Sequence, residues 1–262
     1  MTTLHTLASG SSGNAALVSR GDTHILLDAG ISCRRIVTAL RELGLAAEDL
    51  SAVCVTHTHS DHIGGLQTFV KKYDVPICGS RRTCGGLAYR IAGIESRLRP
   101  LAAGEITVIG NLTVTPFSTS HDAPGATGYR FGDVGVLTDS GYVTEEAAEV
   151  LMGVPLLMLE ANHDIEALRS GPYPYYLKER ILSSQGHLSN DDAAAFARQS
   201  ALAGTREIVL AHLSKENNTP AMAFGAVERA LASLDRPVRL SVAPRDCLSR
   251  CYQAEEAAVC RK

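Results

Sequence analysis

Short apolar runs alternate with polar, glycine-bearing turns along most of the chain, and the period of each run predicts its conformation. Leu4 to Leu7 and Ala15 to Val18 read as two short strands, and Thr23 to Leu27 as a third. Asp28-Ala29-Gly30 ends that strand, and Ser32 is placed to cap a helix reaching about Leu43. Leu50 to Val55 reads as a buried strand, and after Gly64-Gly65 the segment from Leu66 to Lys72 has helical character. Val75 to Cys78, Thr107 to Ile109 and Leu112 to Phe117 continue the series of short apolar runs. Tyr129 to Phe131 and Val134 to Thr138, joined by a Gly-Asp turn, predict a hairpin. Val154 to Leu159 is continuously apolar, as a strand buried on both faces would be. Asp191 to Ser200 is an alanine-rich helix with acid in its first turn. Glu207 to Ala211 is a last strand, and Thr219-Pro220 supplies a helix cap and first residue. Such alternation predicts an α/β fold.

The polar stretches at the strand ends hold the candidate chemistry. Directly after Val55 comes Thr56-His57-Thr58-His59-Ser60-Asp61-His62-Ile63-Gly64-Gly65, with three imidazoles and a carboxylate within six residues. His57 and His59 are two apart, so a persisting strand would turn both to one cation, while Asp61 and His62 would serve a second close by. A surface loop with idle histidines is the bland alternative, and four mixed nitrogen and oxygen donors beside glycines outweigh it. A structural zinc finger is weaker still, since such sites enlist thiolates and no cysteine lies between Val55 and Ile77. Further histidines and acids follow at later strand ends: His121 on a Pro/Gly loop, Asp139, Glu160 with His163, His187 near a helix start, and His212.

Near the start, Ala8-Ser9-Gly10-Ser11-Ser12-Gly13-Asn14 joins the first two strands. Its glycines free the backbone to approach a ligand, and Ser9, Ser11, Ser12 and Asn14 offer donors of the kind a phosphate accepts. A flexible hairpin turn carries equal weight on sequence alone.

Composition narrows the setting. The chain has 262 residues, 45% hydrophobic and 20% charged, with no low-complexity tract, linker or evident repeat, so one domain over 1–262 is expected. Met1 to His5 lacks the features of a signal peptide and no stretch has the length of a membrane span, so a cytoplasmic protein with no membrane partner is expected. Seven irregularly spaced cysteines then read as reduced thiols. Cys247, Cys251 and Cys260 lack a nearby fourth ligand and read as free. The net charge of −3 argues for no nucleic-acid partner, yet residues 71–99 carry seven Lys and Arg against Asp74 and Glu95, a local +5. That face either tracks a phosphate backbone or is solvated helix surface.

The 57–62 motif resembles the His-x-His-x-Asp-His signature of metallo-β-lactamase-fold hydrolases, and His121, Asp139 and His212 follow in the family's order. The resemblance covers nearly the whole chain and is greatest to the YycJ/WalJ-like branch, through Leu7 to Asn14, Glu160-Ala161-Asn162-His163-Asp164, Gly186-His187-Leu188-Ser189 and His212 to Asn218. It implies a four-layer αβ/βα sandwich with two central mixed β-sheets and two divalent metal ions per chain. His57, His59 and His121 would hold the first ion, Asp61, His62 and His212 the second, with Asp139 between them. Asp28 would buttress the loop from behind. Zinc is the default metal, and the imidazole and carboxylate donors suit Mn2+ or Fe2+ about equally. Relatives of the branch cleave nucleic-acid phosphodiesters. Their paired glutamate and histidine, which protonate the leaving oxygen, match Glu160 and His187, and the family thereby implies that replacing either slows turnover without releasing metal. His163 either meets the substrate phosphate, joins the metal's surroundings, or simply packs.

The reading is a metal-dependent phosphodiesterase, a nuclease acting on DNA more than RNA with a 5′ to 3′ exonuclease-like mode. A small-molecule phosphodiesterase is the main alternative. A glyoxalase II-type thioester hydrolase would not need the serine-rich loop or the Glu160 and His187 pair. A secreted β-lactamase would need an export signal, a binding module would not keep every ligand, and a flavo-di-iron protein would carry glutamate at the motif's second histidine. Only 72 residues separate Asp139 from His212, too few for a large β-CASP insertion.

Overall fold

The computed structural model describes residues 1–254. In chain order the first half contains β1 (Thr2–Ala8), β2 (Ala15–Arg20), β3 (Thr23–Leu27), α1 (Cys33–Glu42), β4 (Leu50–Cys54), α2 (Ser60–Ile63), α3 (Leu66–Val70), β5 (Ile77–Ser80), α4 (Arg81–Arg90) and β6 (Leu98–Leu101). The second half contains β7 (Thr107–Ile109), β8 (Leu112–Ser118), β9 (Thr127–Phe131), β10 (Val134–Leu137), α5 (Glu145–Leu151), β11 (Leu156–Glu160), α6 (Ile165–Ser170), α7 (Tyr175–Leu182), α8 (Asn190–Ala203), β12 (Glu207–Ala211), α9 (Pro220–Leu231) and β13 (Arg239–Val242). The last described strand, β14 (Tyr252–Ala254), returns to the first half.

Two seven-stranded sheets result, ordered β14-β1-β2-β3-β4-β5-β6 and β7-β8-β9-β10-β11-β12-β13. In each, the first three pairings are antiparallel and the last three parallel. The two halves thus share one topology, a repeat invisible in the residues themselves, and β14 fills the slot that β7 fills in the second half.

The period of two sorts side chains into layers. On β10 and β11, Val134, Val136, Leu156 and Met158 face the space between the sheets, while Leu137, Leu157 and Leu159 face the helices α5, α8 and α9. On β3, Ile25 and Leu27 point between the sheets and Leu26 points outward to the layer of α1, α3 and α4. The architecture is the expected αβ/βα sandwich of four layers. Full burial is worth roughly 1.5–3 kcal/mol for each such aliphatic side chain.

Most predicted elements appear with shifts of a residue or two. Ser32 caps α1 by accepting from the Arg35 N–H, and Thr219 caps α9 by accepting from Met222. Strand β4 stops at Cys54, so His57 and His59 do not lie on a continued strand, and Asp61 and His62 sit on the single turn of α2. The run Val75 to Cys78 becomes a strand only at Ile77. Within residues 71–99 the positive charge is not one face: Arg97 donates to the Val70 and Tyr73 carbonyls and pairs with Asp74, and Arg99 donates to the Ser96 and Leu98 carbonyls. Cys247 and Cys251 carry free thiols, as do the four buried cysteines, and Cys260 lies outside the described residues. No helix among the described residues is long and apolar enough to cross a membrane.

Because β1 and β3 run the same way, as do β8, β10, β11 and β12, the loops after all of these strands, and after the parallel β4, gather at carboxyl-terminal sheet edges. That is where open α/β sheets place their ligands.

Candidate metal centre

The β3 exit is fixed first. Asp28 adopts φ +59°, in the left-handed region that asparagine and aspartate tolerate better than other side chains. Its Oδ1 accepts from the Thr56 backbone N–H at 2.8 Å, and its Oδ2 accepts from Thr56 Oγ1 at 2.9 Å and from His62 Nδ1 at 2.7 Å. Two residues on, a Cβ on Gly30 would lie 1.7 Å from the Asp61 carbonyl oxygen, so only glycine lets the β3 exit press against the histidine loop. With Nδ1 of His62 committed to Asp28, its Nε2 faces inward, 3.2 Å from Asp139 Oδ2 and 3.5 Å from Asp61 Oδ2.

The other imidazoles converge on the same space. His59 Nδ1 and His121 Nε2 lie 3.2 Å apart, and His121 donates from Nδ1 to the Gly186 carbonyl, which turns the Nε2 lone pair inward. The His57 ring is 4.2 Å from that of His62 and 4.6 Å from that of His59. Asp139, at φ +57°, stands at the centre: its Oδ1 is 3.6 Å from His212 Nε2 and 3.7 Å from His121 Nε2. His212, at φ +56°, also places Nε2 3.5 Å from Asp61 Oδ2. Its own N–H donates to Ser9 Oγ, and its carbonyl accepts from Asn162.

Glu160, the last residue of β11, is fully buried and saturated. Its Oε1 accepts from His187 Nδ1 at 2.8 Å and His212 Nδ1 at 2.9 Å, while Oε2 accepts from the Ser140 and Leu188 backbone N–H groups. His187 is within 3.6 Å of Asp139 Oδ1. Glu160 therefore joins His187 to His212, a link that spacing in the sequence does not reveal.

The electrostatics follow from burying several carboxylates together. Burial, reinforced by the nearby His62 imidazole, pushes His57 down to about 2, so it is a neutral donor. Burial would lower His62 and His212 as well, but Asp139 with Asp28 raises His62 well above its ordinary value, and Asp139, Asp61 and Glu160 raise His212 to about 10. Burial would raise Asp61 and Asp139, yet the charges of His212 and His62 hold both below the carboxylate range. Burial likewise opposes ionisation of Glu160, but His187 and His212 pull it down to about 2. The cluster demands positive charge at its centre. Divalent cations answer that demand, and the donor set fits them: His57 Nε2 and Asp139 Oδ2 are buried without a hydrogen-bond partner, and four groups of donors have their atoms within 4.8 Å of one another. Those groups are His57-His59-His121, Asp61-His62-His212, His57-His62-Asp139 and Asp139-Glu160-His187-His212.

The serine-rich loop is divided. Ser9 and Asn14 are buried and turned inward: Ser9 holds His212, while Asn14 accepts from Gly10 and lies 3.2 Å from His62 Nε2. Ser11 and Ser12 are exposed. His163 is 1% exposed with neither ring nitrogen partnered, and burial holds it down to about 4. So buried a ring presents neither nitrogen to solvent. Sequence reasoning missed Asp122, whose Oδ1 is 3.4 Å from His59 Nε2 and whose Oδ2 accepts from Arg180 Nε at 2.5 Å. The signal was its position beside His121.

Residues 23–213 match the model of the β-lactamase superfamily domain. The chain belongs to the β-lactamase superfamily. Within that superfamily it is 36% identical over 230 residues to the exodeoxyribonuclease YycJ of Bacillus anthracis, covering 86% of this chain and 87% of that one. It is 37% identical over 236 residues to the exodeoxyribonuclease WalJ of Streptococcus pneumoniae serotype 2, covering 87% and 88%. A diphosphatase of the PhnP family superposes with a TM-score of 0.69 at 19% identity, over 96% of this chain and 98% of that one, and so shares the fold. This member of the superfamily is a metallohydrolase: the fold implies a divalent metal, and its His/Asp cluster fits one.

One consequence concerns the support behind the cluster. Asp28→Asn keeps the left-handed backbone and one acceptor oxygen but loses the carboxylate that orients His62. Zinc affinity, measured by competition with a chromophoric chelator, is expected to fall about 10- to 100-fold. An unchanged affinity would show that His62 orients without Asp28.

Proposed function

We propose that this superfamily member is a dinuclear-metal phosphodiesterase that trims DNA from the 5′ end. The observation that carries the reading is the gathering of seven imidazole and carboxylate donors, Asp139 among them, into overlapping groups, with the Glu160 and His187 pair against the Asp139 carboxylate. His57, His59 and His121 would hold one cation, and Asp61, His62 and His212 the other, with Asp139 between. Zinc fits this donor set, as do manganese and iron. Bound there, the cations lower the pKa of water toward neutrality and neutralise phosphoryl charge.

The chain's own groups do the rest. Asp28, Thr56 and Asn162 fix the imidazoles, and Glu160 fixes the His187 ring, which delivers a proton to the leaving oxygen. Ser11 and Ser12, exposed at the β1 exit, offer hydroxyl and backbone donors to a terminal phosphate, while Ser9 and Asn14 hold that loop on the site. The names of the YycJ and WalJ relatives support DNA as the substrate.

The test sets purified protein, loaded with zinc or manganese, against end-labelled single- and double-stranded DNA, RNA and bis(4-nitrophenyl) phosphate. Progressive 5′ to 3′ release from 5′-phosphorylated linear DNA is expected, with circular DNA resistant. Replacing Ser11 and Ser12 by alanine raises KM on the 5′-phosphorylated strand about tenfold more than on the small ester, as loss of uniform binding does. Equal cutting of circular DNA refutes the end-docking step, and cutting of the small ester alone makes the chain a small-molecule phosphodiesterase.

A further inference from the structure

We infer that helix α7 carries a stacking and phosphate-binding subsite for a single-stranded nucleic acid, formed by Tyr176 and Arg180 beside the metal centre. The inference rests on the nuclease reading above and names the surface that guides the strand.

Arg180 is tied to the centre through one residue. Its Nε donates to Asp122 Oδ2, and Asp122 Oδ1 lies 3.4 Å from His59 Nε2 and 3.5 Å from His121 Nε2. The segment after α7 anchors the helix to the same histidine, because Gly186 accepts from His121 and Ser184 accepts from Ser120. The Arg180 side chain is nevertheless half exposed, so it reaches both the site and solvent.

Tyr176 precedes Arg180 by four residues and shares its helix face, which sets their Cβ atoms about 5–6 Å apart. Tyr176 is 73% exposed, as its neighbour Tyr175 is 76%. One nucleotide spans that separation, with its phosphate on the guanidinium and its base on the ring. A phenol face accepts any base, and the adjacent cation matches the phosphate's charge.

A groove of about 420 Å³ continues from the same place, lined by Arg82, Thr119, His121, Asp122, Pro124 and Gln185. Of the basic residues in 71–99, Arg82 therefore borders the site, whereas Arg97 and Arg99 are engaged with backbone carbonyls. The guiding surface is then α7 with Arg82 across the groove. Lys178 is not part of it, since its ammonium donates to the Arg169 carbonyl.

The experiment compares metal-loaded wild type with Tyr176→Ala, Tyr176→Trp and Arg180→Ala on a 5′-phosphorylated single-stranded oligonucleotide and on bis(4-nitrophenyl) phosphate. Tyr176→Ala is expected to raise KM for the oligonucleotide about tenfold, with kcat within about twofold, and Tyr176→Trp to restore it, because the ring's face and not its hydroxyl binds. Arg180→Ala flattens the dependence of log affinity on log salt by about 0.7. A wild-type KM in Tyr176→Ala, or equal losses on the oligonucleotide and the small ester, overturns the subsite while leaving the nuclease reading standing. A wild-type enzyme that hydrolyses the small ester yet neither binds nor cuts the oligonucleotide overturns both.

Discussion

Replacing Asp139 with asparagine is expected to cut turnover by at least about 10³-fold while leaving the protein folded. Its carboxylate lies within 3.7 Å of His62, His121, His187 and His212, more imidazoles than any other carboxylate of the cluster reaches. A single lost electrostatic contact at a reacting centre costs about 10²–10³, and here the loss is shared by every donor group that Asp139 joins. Asparagine is the informative replacement. Residue 139 sits at φ +57°, where alanine is strained by roughly 1–2 kcal/mol and asparagine is tolerated. Metal analysis and thermal melting on the same preparation check the result: fewer than two equivalents with a native-like melt is expected. Two retained equivalents and full activity would remove Asp139 from the centre.

Glu160→Gln and His187→Ala are expected to separate two roles that the sequence alone assigns to one pair. His187→Ala removes the proposed proton carrier and is expected to slow turnover by about 10²–10⁴ with metal retained. Glu160→Gln loses more, because the same Oε1 that orients His187 also accepts from His212 Nδ1. A buried amide there keeps one acceptor oxygen, so its NH2 meets either the two imidazoles or the Ser140 and Leu188 backbone N–H groups, and metal affinity falls about 10- to 100-fold besides the loss in rate. The family pattern implies that neither substitution touches the metal, and the Glu160–His212 contact changes that for Glu160. Single-turnover rates with metal content measured in parallel decide it. Equal metal occupancy in both variants would return Glu160 to the proton-transfer step alone.

What the sequence disclosed depended on whether the relevant groups were contiguous. His57 to His62 were legible because four donors fall within six residues, and the strand ends delivering Asp139, Glu160 and His212 were legible from short, nearly continuous apolar runs. The premise of a continued strand through His59 failed, since β4 ends at Cys54 and a helical turn follows; the rings meet nonetheless because Thr56, Asp28 and Gly30 shape the loop. The inward turn of Ser9 and Asn14 was not legible, for their partners lie 203 and 48 residues away. Strands β6 and β13 escaped notice because these edge strands bury little, and β14, though Tyr252 and Ala254 are buried, because three residues show no run to read. The Asp122–Arg180 pair spans 58 residues and joins a loop to helix α7, a proximity that only the fold creates.

The C-terminal strand that fills the first sheet's open slot has a consequence for the order in which the molecule can be made. Thr2 pairs with Ala254, Thr6 exchanges hydrogen bonds with Ser249, and the Arg245 carbonyl accepts from Ser9, the residue that holds His212. A chain emerging from the ribosome therefore builds β1 to β6 with one bare edge and keeps it bare until about 250 residues have been synthesised. Such long-range closure is slow, and an unpaired strand edge is the surface through which nascent chains associate. The Ser9 backbone N–H gains its Arg245 partner only when that closure occurs. The backbone support behind the serine-rich loop thus arrives with the end of the described chain, and not with the half that carries the histidine motif.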